Sequence, residues 1–160
     1  MTDLTPWPPS PDGKRVEELA LLLESDLFFV VKVRETLKHL GYRTQTARNL
    51  AAFTQHLQAT DADRPTIALV NISAHGIDWQ EAIRLARAAG VPLVAYGSHV
   101  ETEAQALARA AGATSVIANS KLASDLPGVI TRALQRNAAA SYTDGQTTSN
   151  RTTEIKTEEA

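Results

Sequence analysis

The chain has no cysteine among its 160 residues. That excludes disulfides, thiol chemistry and zinc–thiolate sites together. It also lacks an excess of either charge. The formal net charge is -2, whereas a nucleic-acid partner would call for a basic face. No apolar run approaches the ~20 residues that a membrane-spanning helix requires. The N-terminus, MTDLTPWPPSPDGKR, is polar and proline-rich, with no apolar core of signal-peptide length. A cytoplasmic protein with neither nucleic acid nor membrane as a partner is the expectation. Glycine is missing from one informative place. The segment LESDLF, which follows the first apolar run, has none, so no glycine-rich phosphate loop opens the domain.

What is present is ordinary for a globular domain. Apolar residues make up 43 % and charged residues 21 %, within the usual range. The length suits one domain with a proper core. Residues 1–15 hold most of the prolines and predict an extended tail. Residues 137–160 include SYTDGQTTSNRTTEIKTEEA, rich in Thr and Ser with hardly an apolar side chain, and predict a disordered tail. The folded domain is expected over 16–136.

Within it, strand and helix patterns alternate. Leu19–Leu23 is a short apolar run. Val30, Val33, Leu37 and Leu40 follow at helical spacing, with Ser25 or Asp26 as cap and Gly41 as terminator. YRTQTA is a short alternating strand. NLAAFTQHLQAT is a helix with Leu50, Phe53 and Leu57 on one face. TIALVN and VPLVAYG read as strands covered on both sides, with the helix DWQEAIRLARAAG between them. TEAQALARAAG opens on a capping-box pattern, Thr102 to Gln105, and closes at Gly112. TSVIA is the last strand. LASDLPGVITRALQRN is the last helix, weakened or kinked by Pro127 and Gly128. Five strands alternating with five helices predict an α/β fold, a parallel sheet with helices on both faces.

In such a sheet a site collects at the carboxyl ends of the strands. The residues on that rim are Glu24, Ser25 and Asp26; Asn71 to Asp78; Gly97, Ser98 and His99; and Asn119 to Lys121. Asn71 stands out as a polar residue ending the apolar strand IALVN. A buried amide must find hydrogen-bond partners, so it either binds a ligand or ties the loops around it. His75 and His99 with Glu24 or Asp26 could form a metal site, although separate loop histidines are more often solvated. No Ser/His/Asp set or catalytic carboxylate pair can be assembled, so no enzymatic activity is expected.

The order and spacing of four stretches resemble the receiver domain of bacterial two-component response regulators. They are LLLESD, HLGYRT, VNISAHGIDW and AAGATSVIANS. The resemblance covers residues 18–136. It implies a (βα)5 flavodoxin-like, three-layer fold with strand order 2-1-3-4-5. It also implies phosphotransfer to an aspartate after the third strand, Mg²⁺ held by an acid pair after the first, and a lysine, a hydroxyl and an aromatic that respond to phosphate. Carried over by position, these roles fall on residues that cannot perform them. Asn71 takes the acceptor position, and a carboxamide cannot form an acyl phosphate. Glu24 remains of the acid pair, but its companion is Ser25; Asp26, one step on, is as well placed to cap a helix. Two lost charges leave Mg²⁺ binding weak or absent, so no cofactor is expected. The hydroxyl position is Gly97, the aromatic position Val116 and the lysine position Asn119.

The resemblance therefore implies a pseudo-receiver, in which the fold is kept and the phosphorelay chemistry is gone. It would act as a phosphorylation-independent signalling module through a protein partner. Docking is expected on the face of the fourth helix, fifth strand and last helix, with Tyr96, Trp79 and His99 as candidate interface residues. A homodimer is one form such docking could take. The alternative is a small-molecule-binding module that uses the former phosphorylation pocket. An unusual phosphoacceptor at Asp26 or Asp78 is a third reading.

Overall fold

A computed structural model describes residues 18–60, 63–74 and 76–139. The expected tails lie largely outside these residues, as does His75. In chain order the elements are β1 (Glu18–Leu23), α1 (Leu27–His39), β2 (Tyr42–Ala47), α2 (Leu50–Leu57) and β3 (Ile67–Asn71). Then come α3 (Trp79–Ala88), β4 (Leu93–Gly97), α4 (Thr102–Ala111), β5 (Ser115–Ala118) and α5 (Asn119–Ser124). A last helix, α6, spans 126–139.

The strands form one parallel sheet in the order β2-β1-β3-β4-β5. β1, β3 and β4 are central and covered on both sides, which is why their sequences are continuous apolar runs. Side chains alternate between the two faces. Leu21, Leu23, Ala68, Val70, Leu93 and Ala95 pack against α2, α3 and α4. Ala20, Leu22, Ile67, Leu69, Val94 and Tyr96 pack against α1, α5 and α6. The result is a three-layer α/β fold with the expected strand order.

Helix ends follow the local chemistry. The Asp26 carboxylate accepts from the backbone N–H of Phe28 at 3.0 Å and Phe29 at 3.4 Å, fixing the start of α1. Asn49 caps α2 through the Ala52 N–H at 2.8 Å, and Asp78 caps α3 through the Glu81 N–H at 3.1 Å. α4 ends at Gly112 with φ 110°, a left-handed conformation that disfavours a side chain.

Two expectations at the C-terminal end are corrected. The capping box at Thr102 does not form: Glu101 occupies the cap position without a side-chain cap bond. The Gln105 amide instead donates to the Ser98 carbonyl at 3.3 Å. The last helix is also two helices. Asn119 to Lys121, expected in a loop, form the first turn of α5, and the break falls at Asp125. Pro127 lies in the first turn of α6, where a missing N–H costs nothing, so it accompanies a new helix instead of kinking an old one. α6 continues through 139, beyond the boundary expected at 136.

Candidate functional site

Sheet register builds the rim. β1 and β3 pair Leu23 with Val70, and β3 and β4 pair Asn71 with Tyr96. Partners across a parallel pair share a face, and the next residues share the opposite one. Glu24, one step beyond Leu23, therefore enters the same row as Asn71 and Tyr96, on the side covered by α1. The row spans three adjacent strands.

Its side chains are joined. Glu24 is only 2 % exposed, and the Tyr96 hydroxyl donates to its Oε2 at 3.0 Å. The Asn71 carboxamide stands near the Glu24 carboxylate and favours its charged form. Its Oδ1 accepts from the Ser73 N–H at 2.8 Å. Asn71 thus holds the turn after β3 and lies beside the buried acid. Tyr96 is fully buried, and its ring stacks on Phe29 of α1 with centroids 5.3 Å apart. This corrects its candidacy as an interface residue: it faces the α1 layer, where no partner can reach it.

Burial pushes the Glu24 carboxyl above its ordinary range. The hydrogen bonds from Asn71, Tyr96 and the Asp26 backbone counter part of that rise, and the Asp26 charge adds to it. Burial likewise drives the Tyr96 phenol well above its usual range, reinforced by the Glu24 charge. The phenol therefore stays protonated and donates to Glu24.

The second half of the rim is closed by a hydroxyl that sequence reading did not single out. Ser73 Oγ accepts from the Ser98 N–H at 3.1 Å and donates to Glu101 Oε2 at 3.0 Å. It ties the loop after β3 to the loop after β4. Gly97 makes the closure possible, since a Cβ there would stand 2.8 Å from both Ile72 Cγ1 and Ser73 Oγ. The hydroxyl missing at Gly97 is thus excluded by packing. Ser98 Oγ accepts locally from the Val100 N–H at 3.4 Å. No signal in the sequence marks Ser73, because its role depends on two loops meeting.

The remaining candidates are dispersed. Ser25 and Asp26 are exposed, and Asp26 serves as the α1 cap. Asp78 serves as the α3 cap, so neither aspartate is free at the rim. Val116 is half-buried against the α2–α4 side of the core. Asn119 is exposed at the start of α5, and Lys121 pairs with Asp125 at 3.2 Å. Trp79 packs partly buried against the core, and His99 is exposed. Among the described residues no three His, Asp or Glu side chains cluster as metal ligands would.

No protein-family model matches the sequence, and no curated protein matches it significantly. Solved structures do match. A CheY-like response regulator receiver domain protein from Methanospirillum hungatei is 16 % identical, with a TM-score of 0.66 over 77 % of this chain and 98 % of that one. The receiver domain of a sensor histidine kinase from Pseudomonas aeruginosa, solved with a magnesium ion in its active-site cleft, is 19 % identical. Its TM-score is 0.63 over 74 % of this chain and 98 % of that one. A fusion carrying the trimeric coiled coil of yeast Spc42 is 19 % identical, with a TM-score of 0.69 over 89 % of this chain and 90 % of that one. At these identities the likeness is one of architecture: the chain has the receiver fold of response regulators.

Proposed function

We propose that the chain is a pseudo-receiver, a regulatory module that works through protein–protein contact and does not depend on phosphorylation. The observation that carries this reading is Asn71. It occupies the end of β3, where the resemblance places the phosphoacceptor. Its carboxamide oxygen is committed to the Ser73 N–H, and its side chain stands beside buried Glu24. An amide offers no nucleophilic carboxylate, and this one is also held in place as a structural tie.

Further features support the same reading. Glu24 is the one acid of the expected metal pair, and it is buried beneath a tyrosine hydroxyl. The cation position expected at Asn119 has no positive charge, and Lys121 is engaged with Asp125. On the outer face, Val100 and Leu107 are exposed beside a hollow of about 470 Å³ at the start of α4. Exposed apolar residues of this kind suit a protein partner.

The test is incubation with acetyl phosphate and Mg²⁺, followed by intact-mass measurement. No acyl-phosphate adduct is expected. Stoichiometric labelling at the rim would overturn the proposal. Asn71→Asp is expected to remain unlabelled too. The new carboxylate would stand beside buried Glu24, and the second metal acid and the lysine would still be missing.

A further inference from the structure

The first turns of α1 carry an apolar patch that the core does not use. Leu27 is 55 %, Phe28 91 % and Val31 59 % exposed. The inner face of the same helix buries Val30, Val33 and Leu37. A Phe left almost wholly in water is unusual for a chain with three Phe in total, and contiguous exposed apolar residues mark a contact surface.

The other unexplained apolar group lies before the sheet. Leu4 and Trp7 sit in LTPWPPSP. Solubility alone gives a tail no reason to carry tryptophan. A proline-rich segment is preset toward an extended helix with low ordering cost, and such segments dock on aromatic surfaces.

We propose that the segment around Trp7, residues 4–9, docks within its own chain on Leu27, Phe28 and Val31. The geometry permits it. α1 returns antiparallel to β1, so its C-terminal end lies at the edge of the sheet where Glu18 begins. Phe28 is about 18 Å up the helix from that end at 1.5 Å per residue. Trp7 precedes Glu18 by 11 residues, a reach of about 36 Å when extended. That covers the climb along α1 and the step outward around it. A partner seeking the α1 face would then have to displace the segment, which gives the module an internal competitor. The inference does not depend on the pseudo-receiver reading.

The experiment uses the full chain with Trp79→Phe, so that Trp7 is its sole tryptophan. The expected result is Trp7 emission shifted to shorter wavelength, with several-fold weaker acrylamide quenching than in a free peptide of residues 1–17. Phe28→Ser should return both to the peptide values. Protection should be independent of protein concentration. Emission and quenching equal to the peptide's, or unmoved by Phe28→Ser, would overturn the proposal. So would protection lost on dilution, which would place the segment on a second copy. If Trp79→Phe unfolds by circular dichroism, 5-fluorotryptophan NMR of the natural sequence decides instead. Phe28→Ser must then shift the Trp7 resonance, assigned by its loss in Trp7→Phe, or the proposal fails.

Discussion

Glu24 and Phe28 are four residues apart and have exchanged the usual places of their kinds. The carboxylate is 2 % exposed and the phenylalanine 91 %. Acids are rarely buried without a partner, and large aromatics are rarely left bare. The difference is one of partners. Glu24 follows a central strand into a row beside Asn71, where the Tyr96 hydroxyl donates to it. Phe28 follows the Asp26 cap onto the outward side of α1, where the fold supplies no neighbour. One short stretch thus buries an acid at the rim and exposes an apolar side chain beside it.

The sharpest way to break this contrast is to remove its hinge. Tyr96→Ala should destabilise the protein by about 3–5 kcal/mol in urea unfolding, because it empties a fully buried ring site. It also strips Phe29 of its stacking partner and Glu24 of a donor. Tyr96→Phe keeps the ring and isolates the hydrogen bond; a loss of about 1–3 kcal/mol is expected for a donor to a buried carboxylate. A loss indistinguishable from zero would mean that the hydroxyl adds nothing net to holding Glu24.

Gly97→Thr tests the neighbouring half of the rim. Its Cβ must displace Ile72 and Ser73, and overpacking of this kind costs about 1–3 kcal/mol. Equal stability would show that the loop closure through Ser73 is soft.

Glu24 should also leave a signature in pH. Its carboxyl is raised above its ordinary value of 4.5 in the folded chain, so the folded state binds more protons than the unfolded one above that pH. The contribution of Glu24 to stability is fully present below pH 4.5 and is lost as pH rises through the folded value. Urea midpoints measured from pH 4 upward should fall across that window. Glu24→Gln should remove this part of the slope. An unchanged slope would assign the pH dependence to other groups.

The smallest effect is expected at the exposed end of the comparison. Phe28→Ser should cost no more than about 1 kcal/mol, the contribution of a weakly docked segment and not of a core side chain. A loss well above that by thermal or urea unfolding would show that Phe28 belongs to the folded core.

Much of the rim was legible in particular residues. Asp26 has the residue type and position of a helix cap, and it caps. The run IALVN ends in an amide that must be satisfied, and the Asn71 Oδ1 accepts from the Ser73 N–H. Gly97, Val116 and Asn119 lack the hydroxyl, aromatic and cationic groups that the resemblance implies. Tyr96 was misread because its side of the sheet depends on the parity of β4, which composition does not reveal. Ser73 went unmarked because both its partners, Ser98 and Glu101, come from another loop. The break at Asp125 was misplaced because Pro127 serves equally as a helix breaker and a first-turn residue.

The sequence by itself determined the alternation of strands and helices, and hence the parallel sheet. Period-two and helical spacings are local properties that each segment carries alone. It also determined what the end of β3 cannot do, since no fold gives an amide the nucleophilicity of a carboxylate. Only the tertiary structure decided that Glu24, Asn71 and Tyr96 form one row. Register between strands far apart in the chain sets which side chains meet, and the burial that follows gives a lone acid its tyrosine donor while leaving Phe28 outside the core.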